Sequence, residues 1–229
     1  MRVGVLIRSY GLTDFLKACI KQYAWVDRIV VMNYRFKHVP ERPDNTEQIC
    51  KELNLPNLFL YKGCDLQMHE VLNTGLAYHK EAATDYVFVS DSDEFITQAD
   101  QKEILKRLID QKDGYDCAQI SMYDYTKDMK HVYPVRTHKP PTLCQPSRMS
   151  FYETRCLQGR GVIYPDIFLH HVGYSFDKDG MEWKYGWEKP VDKWALEIEA
   201  QLSSPQELPD EIQSLIKECS NEYVLSDSN

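Results

Sequence analysis

TDYVFVSDSDEF, residues 84–95, sets two kinds of chemistry side by side. Tyr86, Val87, Phe88 and Val89 run without a polar interruption, as in a strand buried on both faces of a sheet. Asp91, Asp93 and Glu94 follow within four positions, where like charges repel unless a turn or a cation accommodates them. Either the acidic run merely ends the strand in water, or it is where the sheet does its chemistry.

Working outward, strand and helix signals alternate through residues 1–125, the pattern of a mostly parallel sheet with helices on its faces. Residues 2–9 (RVGVLIRS) read as the first strand. Leu12, Phe15, Leu16, Cys19 and Ile20 hold helical spacing over 12–22. A second strand is expected at 28–33, a helix at 46–53 and a third strand at 58–62. A helix carrying Val71, Leu72, Leu76 and Ala83 then leads into the quoted stretch as the fourth strand. Asp100 and Glu103 form a D-x-x-E pair that predicts a helix start just beyond the acidic run. Residues 115–125 read as another strand.

Beyond residue 125 the periodicity breaks down. Pro134, Pro140, Pro141 and Pro146 sit among basic and aromatic residues, which predicts long excursions over the sheet edge. Residues 161–175 read as a late strand pair, 190–202 as a helix with Pro190 near its first turn, and 209–218 as a short amphipathic helix before a polar tail. The expected organisation is one domain over residues 1–202, in two parts, 1–125 and 126–202, followed by a C-terminal helix and tail over 203–229.

Bulk properties narrow the classes. At 229 residues, with 43% apolar and 27% charged residues, the chain has the material for one sizeable core. A net charge of −8 supplies no electrostatic reason to expect nucleic acid or an anionic membrane as partner. No apolar run approaches the ~20 residues that span a bilayer, and the N-terminal run is too short for a secretion signal, so a cytoplasmic protein is expected. Seven scattered cysteines without a C-x-x-C pair read as free thiols rather than a zinc site.

Ligands of open parallel sheets bind outside the carboxyl ends of the strands. Asp91 and Asp93, two apart at such an end, turn to one face if the chain stays extended, where a hard divalent cation takes carboxylate oxygens. A further ligand is sought in His170 or His171, at the end of the apolar run Ile167, Phe168, Leu169; imidazole beside carboxylates suits Mn²⁺ better than Mg²⁺. Each feature has a plain alternative, a solvated acidic turn or a buried, hydrogen-bonded histidine. The two together carry more weight than either alone.

Asn73-Thr74-Gly75-Leu76, the helix after it and DYVFVSDSDEF resemble the segment that leads into the DxD motif of GT-A glycosyltransferases, especially those near family 2. The stretch VLIRSYGLTDFLKACIKQYAWVDRIVVMNY resembles their first strand, helix and second strand. HHVGYSFDKDGMEWK is similar to their late histidine-containing stretch, with His171 as the matching histidine. The resemblance implies a GT-A (Rossmann-like) α/β fold with an irregular acceptor region and C-terminal helices. It also implies a nucleotide-diphosphate sugar donor, UDP-linked by preference, Mn²⁺ (or Mg²⁺) as cofactor, and transfer of a hexosyl group to an acceptor hydroxyl. Carried over residue by residue, Asp93 is a direct metal ligand, Asp91 contacts ribose or metal, and His171 completes the coordination. Arg8, Ser9, Asn33, Asp65 and Asn73 line the nucleotide pocket, and Lys184 pairs with the diphosphate as charge develops.

The chain departs from the family at Arg8-Ser9-Tyr10, where a Pro-x-Tyr-Asn start is common, and at Asn33, where an Asp often reads uracil. No clean acceptor base is present: Glu153 is the best placed in chain order, with Asp124 or Asp166 as substitutes. Tyr125, Tyr133, Phe151 and Tyr152 with Arg136, Arg148, Arg155 and Arg160 form the expected acceptor surface, where aromatic faces stack on sugars and arginines fork onto anions. Trp183, Trp187 and Trp194 read as core or lid anchors. A glycan or small-molecule acceptor is favoured over a hydroxylated DNA base, given the acidic charge. Other classes considered are a sugar-phosphate nucleotidyltransferase, against which the glycine-poor Arg8-Ser9-Tyr10-Gly11 speaks, and a non-catalytic nucleotide-binding domain.

Overall fold

The computed structural model describes residues 1–11, 13–37, 39, 41–111, 114–125, 129–132, 139–152, 156–173 and 204–219. Within them the chain runs β1 (Val3–Ser9), α1 (Leu16–Gln22), β2 (Arg28–Phe36), α2 (Thr46–Leu53), β3 (Leu58–Leu66), α3 (Met68–Glu81), β4 (Tyr86–Asp91), β5 (Glu94–Phe95) and α4 (Gln98–Asp110). It continues through β6 (Cys117–Asp124), β7 (His131–Val132), β8 (Pro141–Cys144), β9 (Ser150–Tyr152), β10 (Cys156–Gln158), β11 (Gly161–His171), β12 (Ser204–Pro205) and α5 (Asp210–Cys219).

Eight strands form one sheet in the order β3-β2-β1-β4-β8-β6-β11-β5. β1 pairs in parallel with β2 and β4, β2 with β3, and β6 with β11, so the sheet is mostly parallel, as expected. The chain moves from β1 outward to β2 and β3, then returns to place β4 on the other side of β1. That reversal opens a crevice at the carboxyl ends of β1 and β4.

Every residue of β1 is buried, and alternate side chains feed two cores. Val5 and Ile7 pack with Phe15, Leu16 and Ile20 around α1, and with Ile104 of α4 and Ile212 and Ile216 of α5. Leu6 faces the other way, into Val71, Leu72 and Leu76 of α3. Gly75 brings α3 this close: a Cβ there would lie 2.2 Å from Leu6 Cδ1. The C-terminal segment expected as a helix and tail thus contributes α5 to the main core, and Lys21 of α1 bonds Glu218 of α5 at 2.7 Å.

Four expectations change. The helix expected over 12–22 begins only at Leu16. The cap of α4 lies one turn earlier than the Asp100/Glu103 pair: Thr97 Oγ1 accepts the Asp100 backbone N–H at 3.2 Å and donates to Asp100 Oδ2 at 2.9 Å, while Glu103 pairs with Arg107 along the helix at 2.8 Å. The late strand pair is one eleven-residue strand, β11, whose register with β6 shifts between Tyr164 and Phe168, beside Pro165, which has no N–H for the ladder. The proline-rich excursion contains β8, fully buried and running antiparallel between β4 and β6 in the middle of the sheet. Pro141 is tolerated there as the first residue of its strand. The helix expected over 190–202 lies outside the described residues.

Six cysteines among the described residues are free thiols, five of them buried. No helix among the described residues is long and apolar enough to cross a membrane.

Candidate active site

The carboxyl ends of β1, β4, β6 and β11 converge. Parallel register sets Arg8 opposite Asp91 and Asp124 opposite His171, while antiparallel β5 sets Glu94 opposite His171. Between β4 and β5 the chain turns tightly through Ser92 and Asp93. Glu94, 3% exposed, closes the turn by accepting the Asp91 backbone N–H on Oε2 at 2.9 Å. Its carboxylate therefore faces the turn's own backbone.

Residues beneath the turn hold it in place. Gln22, at the end of α1, donates Nε2–H to the Glu94 carbonyl at 2.8 Å and accepts the Ile96 N–H on Oε1 at 3.0 Å. Cys19 donates its thiol to the Asp91 carbonyl at 3.4 Å, and burial pushes that thiol far above its ordinary pKa, so it serves as a neutral donor. Gln101 of α4 bonds the Ile96 carbonyl at 2.9 Å and accepts the Trp25 indole N–H at 2.6 Å.

Asp91 and Asp93 have different partners. The Arg8 guanidinium forks onto Asp91, with Nε 2.5 Å from Oδ1 and Nη2 on Oδ2. Two parallel charge-assisted bonds of this kind fix orientation as well as charge. The remaining nitrogen, Nη1, is buried without a hydrogen-bond partner among the described residues, although Arg8 itself is 9% exposed. A buried N–H on a guanidinium is costly to leave unmade.

Asp93, 5% exposed, places Oδ2 3.5 Å from His171 Nε2. On the far side of the ring, Nδ1 lies 2.6 Å from Oδ1 of Asp124, which is 1% exposed. His170 points to the opposite face, as strand alternation requires. Its Nδ1 lies 3.0 Å from the Tyr125 hydroxyl, and desolvation lowers its pKa to about 4, so it is a neutral, structural imidazole.

Of the metal set Asp91, Asp93 and His171, the structure thus brings Asp93 and His171 together and turns Asp91 onto Arg8. Among the described residues no group of three or more His, Cys, Asp or Glu side chains is arranged to hold a metal ion. Two donors 3.5 Å apart do lie within reach of one cation with bonds of about 2.1 Å. Asp93 and His171 fit such an ion as a pair, with its other positions left for ligand or water.

The residues expected to line a nucleotide pocket divide as well. Ser9 adjoins Arg8, and its Oγ lies 2.9 Å from Thr46 Oγ1. Half-buried Asn33 stands opposite Ser9 in the β1–β2 register. Asn73 is committed to a structural clasp with β9: its Nδ2 donates to the Phe151 carbonyl at 2.9 Å and its Oδ1 accepts the Phe151 N–H at 2.8 Å. Asp65 is exposed at the end of β3, with φ of 62° and Arg35 at 3.5 Å. Asp166 forks with Arg107 of α4 at 2.8 Å, five residues before His171 and on the order of 15 Å back along the strand. Glu153, Lys184, Tyr133, Arg136, Arg155 and the three late tryptophans lie outside the described residues.

Asp124, weighed from sequence as a substitute base, lies buried against Nδ1 of His171; the strand-end rule that singled out Asp91 points to it equally. Gln22 has no signal of its own in the sequence.

No family model matches the sequence, and no curated protein matches it significantly. The fold is an α/β, Rossmann-like, mostly parallel sheet flanked by helices. Among solved structures it is similar to S. aureus TarS 1–349, with a TM-score of 0.51 and 16% identity over 82% of this chain and 63% of that one. TarS 1–349 in complex with UDP-GlcNAc matches with a TM-score of 0.50 and 15% identity, over 82% and 65% of the two chains. This chain therefore spans less than two thirds of the length of those proteins. At such identity the likeness shows the fold.

Proposed function

We propose that the chain is a metal-dependent glycosyltransferase, resembling the family 2 type, that moves a sugar from a nucleotide-diphosphate donor to an acceptor hydroxyl. The observation that carries this reading is the Asp93–His171 pair set in the turn that follows Asp91, which Arg8 grips at the carboxyl ends of β1 and β4. A cation-binding pair beside a buried, incompletely bonded guanidinium suits a ligand that is itself a polyanion. The UDP-GlcNAc complex of S. aureus TarS supports a UDP-sugar as donor.

In this reading Asp93 Oδ2 and His171 Nε2 hold Mn²⁺ (or Mg²⁺). When bound, the ion offsets negative charge on the departing diphosphate. Arg8 keeps Asp91 oriented through its fork and offers Nη1 to a phosphate oxygen, while Asp91 presents its carboxylate edge to the ribose or the ion. Ser9 and Asn33 border the nucleotide, Asp65 lies further out, and Asn73 acts by fixing β9 against α3. Lys184 is proposed to approach the diphosphate, and, if transfer inverts, Glu153 to take the acceptor proton as its oxygen attacks the anomeric carbon. A glycan or small-molecule acceptor and a cytoplasmic location belong to the same proposal.

The test is donor binding and hydrolysis across UDP- and GDP-sugars with Mn²⁺, in the native protein and in Asp93→Ala. Metal-dependent binding lost in the variant is expected. If no donor is bound or cleaved, or if Asp93→Ala changes neither property, the reading is wrong.

A further inference from the structure

His171 lies between two carboxylates, and a neutral imidazole has one proton to give. If Nδ1 carries it, Asp124 accepts the N–H and the Nε2 lone pair faces Asp93. If Nε2 carries it, the ring donates toward Asp93, and that single proton blocks both groups that would hold a cation. The two distances favour the first tautomer. The Nδ1 contact with Asp124 is 2.6 Å, a short charge-assisted bond, whereas the Nε2 contact with Asp93 is 3.5 Å, longer than an ordinary N–H···O bond.

The fold fixes this asymmetry from below. Asp124 and His171 are register partners at the ends of parallel strands β6 and β11, and the Tyr125 N–H to His171 carbonyl bond of 2.9 Å locks the two backbones just past the pair. On the other side, the Val172 N–H bonds the Asp93 carbonyl at 3.0 Å and sets the turn against β11. Asp124, at 1% exposure, is too deep to reach a substrate directly.

We propose that Asp124 is a positioning residue that holds the proton on Nδ1 of His171 and so turns Nε2, with Asp93, into a divalent-cation site. This rests on the cation reading given under Proposed function and deepens it by adding the group that prepares the site. Carboxylates that orient a ligating histidine in this way typically contribute about 10- to 100-fold in metal affinity.

The test has two readouts. First, the imidazole ¹⁵N shifts of His171 in the metal-free native protein should show the proton on Nδ1; a proton on Nε2 overturns the proposal without any variant. Second, Mn²⁺ binding followed by electron paramagnetic resonance should weaken about 10- to 100-fold in Asp124→Asn, with the proton moved to Nε2 and the metal-free variant still folded by circular dichroism. Asp124→Glu, which restores an acceptor, should recover part of the affinity. If Asp124→Asn binds Mn²⁺ like the native protein while Asp93→Asn and His171→Ala do not, the positioning role is refuted and the cation site stands. If all three bind Mn²⁺ like the native protein, the cation reading falls with it.

Discussion

At mildly acidic pH the protein should lose stability through one histidine remote from the carboxylate turn. His79, on α3, has no exposed surface; its Nε2 lies 3.1 Å from the Val5 carbonyl and its Nδ1 3.3 Å from Thr84 Oγ1. Gly4 makes room for the ring, since a Cβ there would sit 2.5 Å from Cε1. Burial, only partly opposed by the Val5 carbonyl and aided by the Arg28 charge, lowers the His79 pKa from 6.5 to about 4. Above pH 6.5 the folded and unfolded chains are both neutral at this position and stability does not respond. Below 6.5 the unfolded chain takes up a proton that the folded one refuses, at about 1.36 kcal/mol per pH unit. Stability is therefore fully present above 6.5 and is lost as pH falls, until the folded form also titrates near 4. At pH 5 the loss is about 2 kcal/mol, rising to about 3 kcal/mol at pH 4. The assay is urea unfolding at pH 7 and pH 5 of the native protein and of His79→Gln. The variant should be weaker at pH 7 through lost packing, yet its loss between the two pH values should be smaller by about 2 kcal/mol. His170 titrates in both proteins and cancels in that comparison. Equal acid losses in the two would refute the reasoning.

Arg8→Met, which removes the fork on Asp91 and the Nη1 donor, should weaken binding of a nucleoside diphosphate at least tenfold by calorimetry; unchanged affinity would separate Arg8 from the donor site. Thr97→Ala should lower stability by about 1 kcal/mol through loss of the α4 cap. Glu103→Ala, by contrast, should cost less than about 0.5 kcal/mol, as an i,i+4 pair on a helix surface does. The reverse order in thermal unfolding would restore the later cap. Gly75→Ala should destabilise by about 1–3 kcal/mol, because Leu6 must move to admit the methyl group; a neutral or positive change would mean that α3 slides freely on β1.

The sequence made the first half of the fold legible because each element there carries its own periodicity. Val3 to Ile7 and Tyr86 to Val89 are unbroken apolar runs, and α3 repeats its buried face over four turns. The cap of α4 was misplaced because an acidic pair satisfies the D-x-x-E pattern whether or not its first member starts the helix. β8 is hidden because four residues that begin with Pro141, directly after Pro140, show no strand period, and its burial comes from neighbours distant in sequence. In the candidate site, the strand ends point to Asp91, Asp93 and the His170-His171 pair, and only the family resemblance singles out His171; the different partners of Asp91 and Asp93 are not legible at all. Both carboxylates have the same local pattern, and Arg8 separates them through a pairing across 83 positions.

The central placement of β8 also sets an order of events for the growing chain. Once residues up to Asp91 have emerged, β3, β2, β1 and β4 can already pair, and the free side of that half-sheet is β4 itself. Its cover, residues 141–144, arrives some fifty residues later, at roughly 5–20 residues per second of synthesis. For those seconds Val87 and Phe88, which β8 later pairs, would form an open apolar strand edge, the kind of surface on which nascent chains aggregate or recruit a chaperone. The strand most involved in presenting the carboxylates is thus the one whose protection depends on timing.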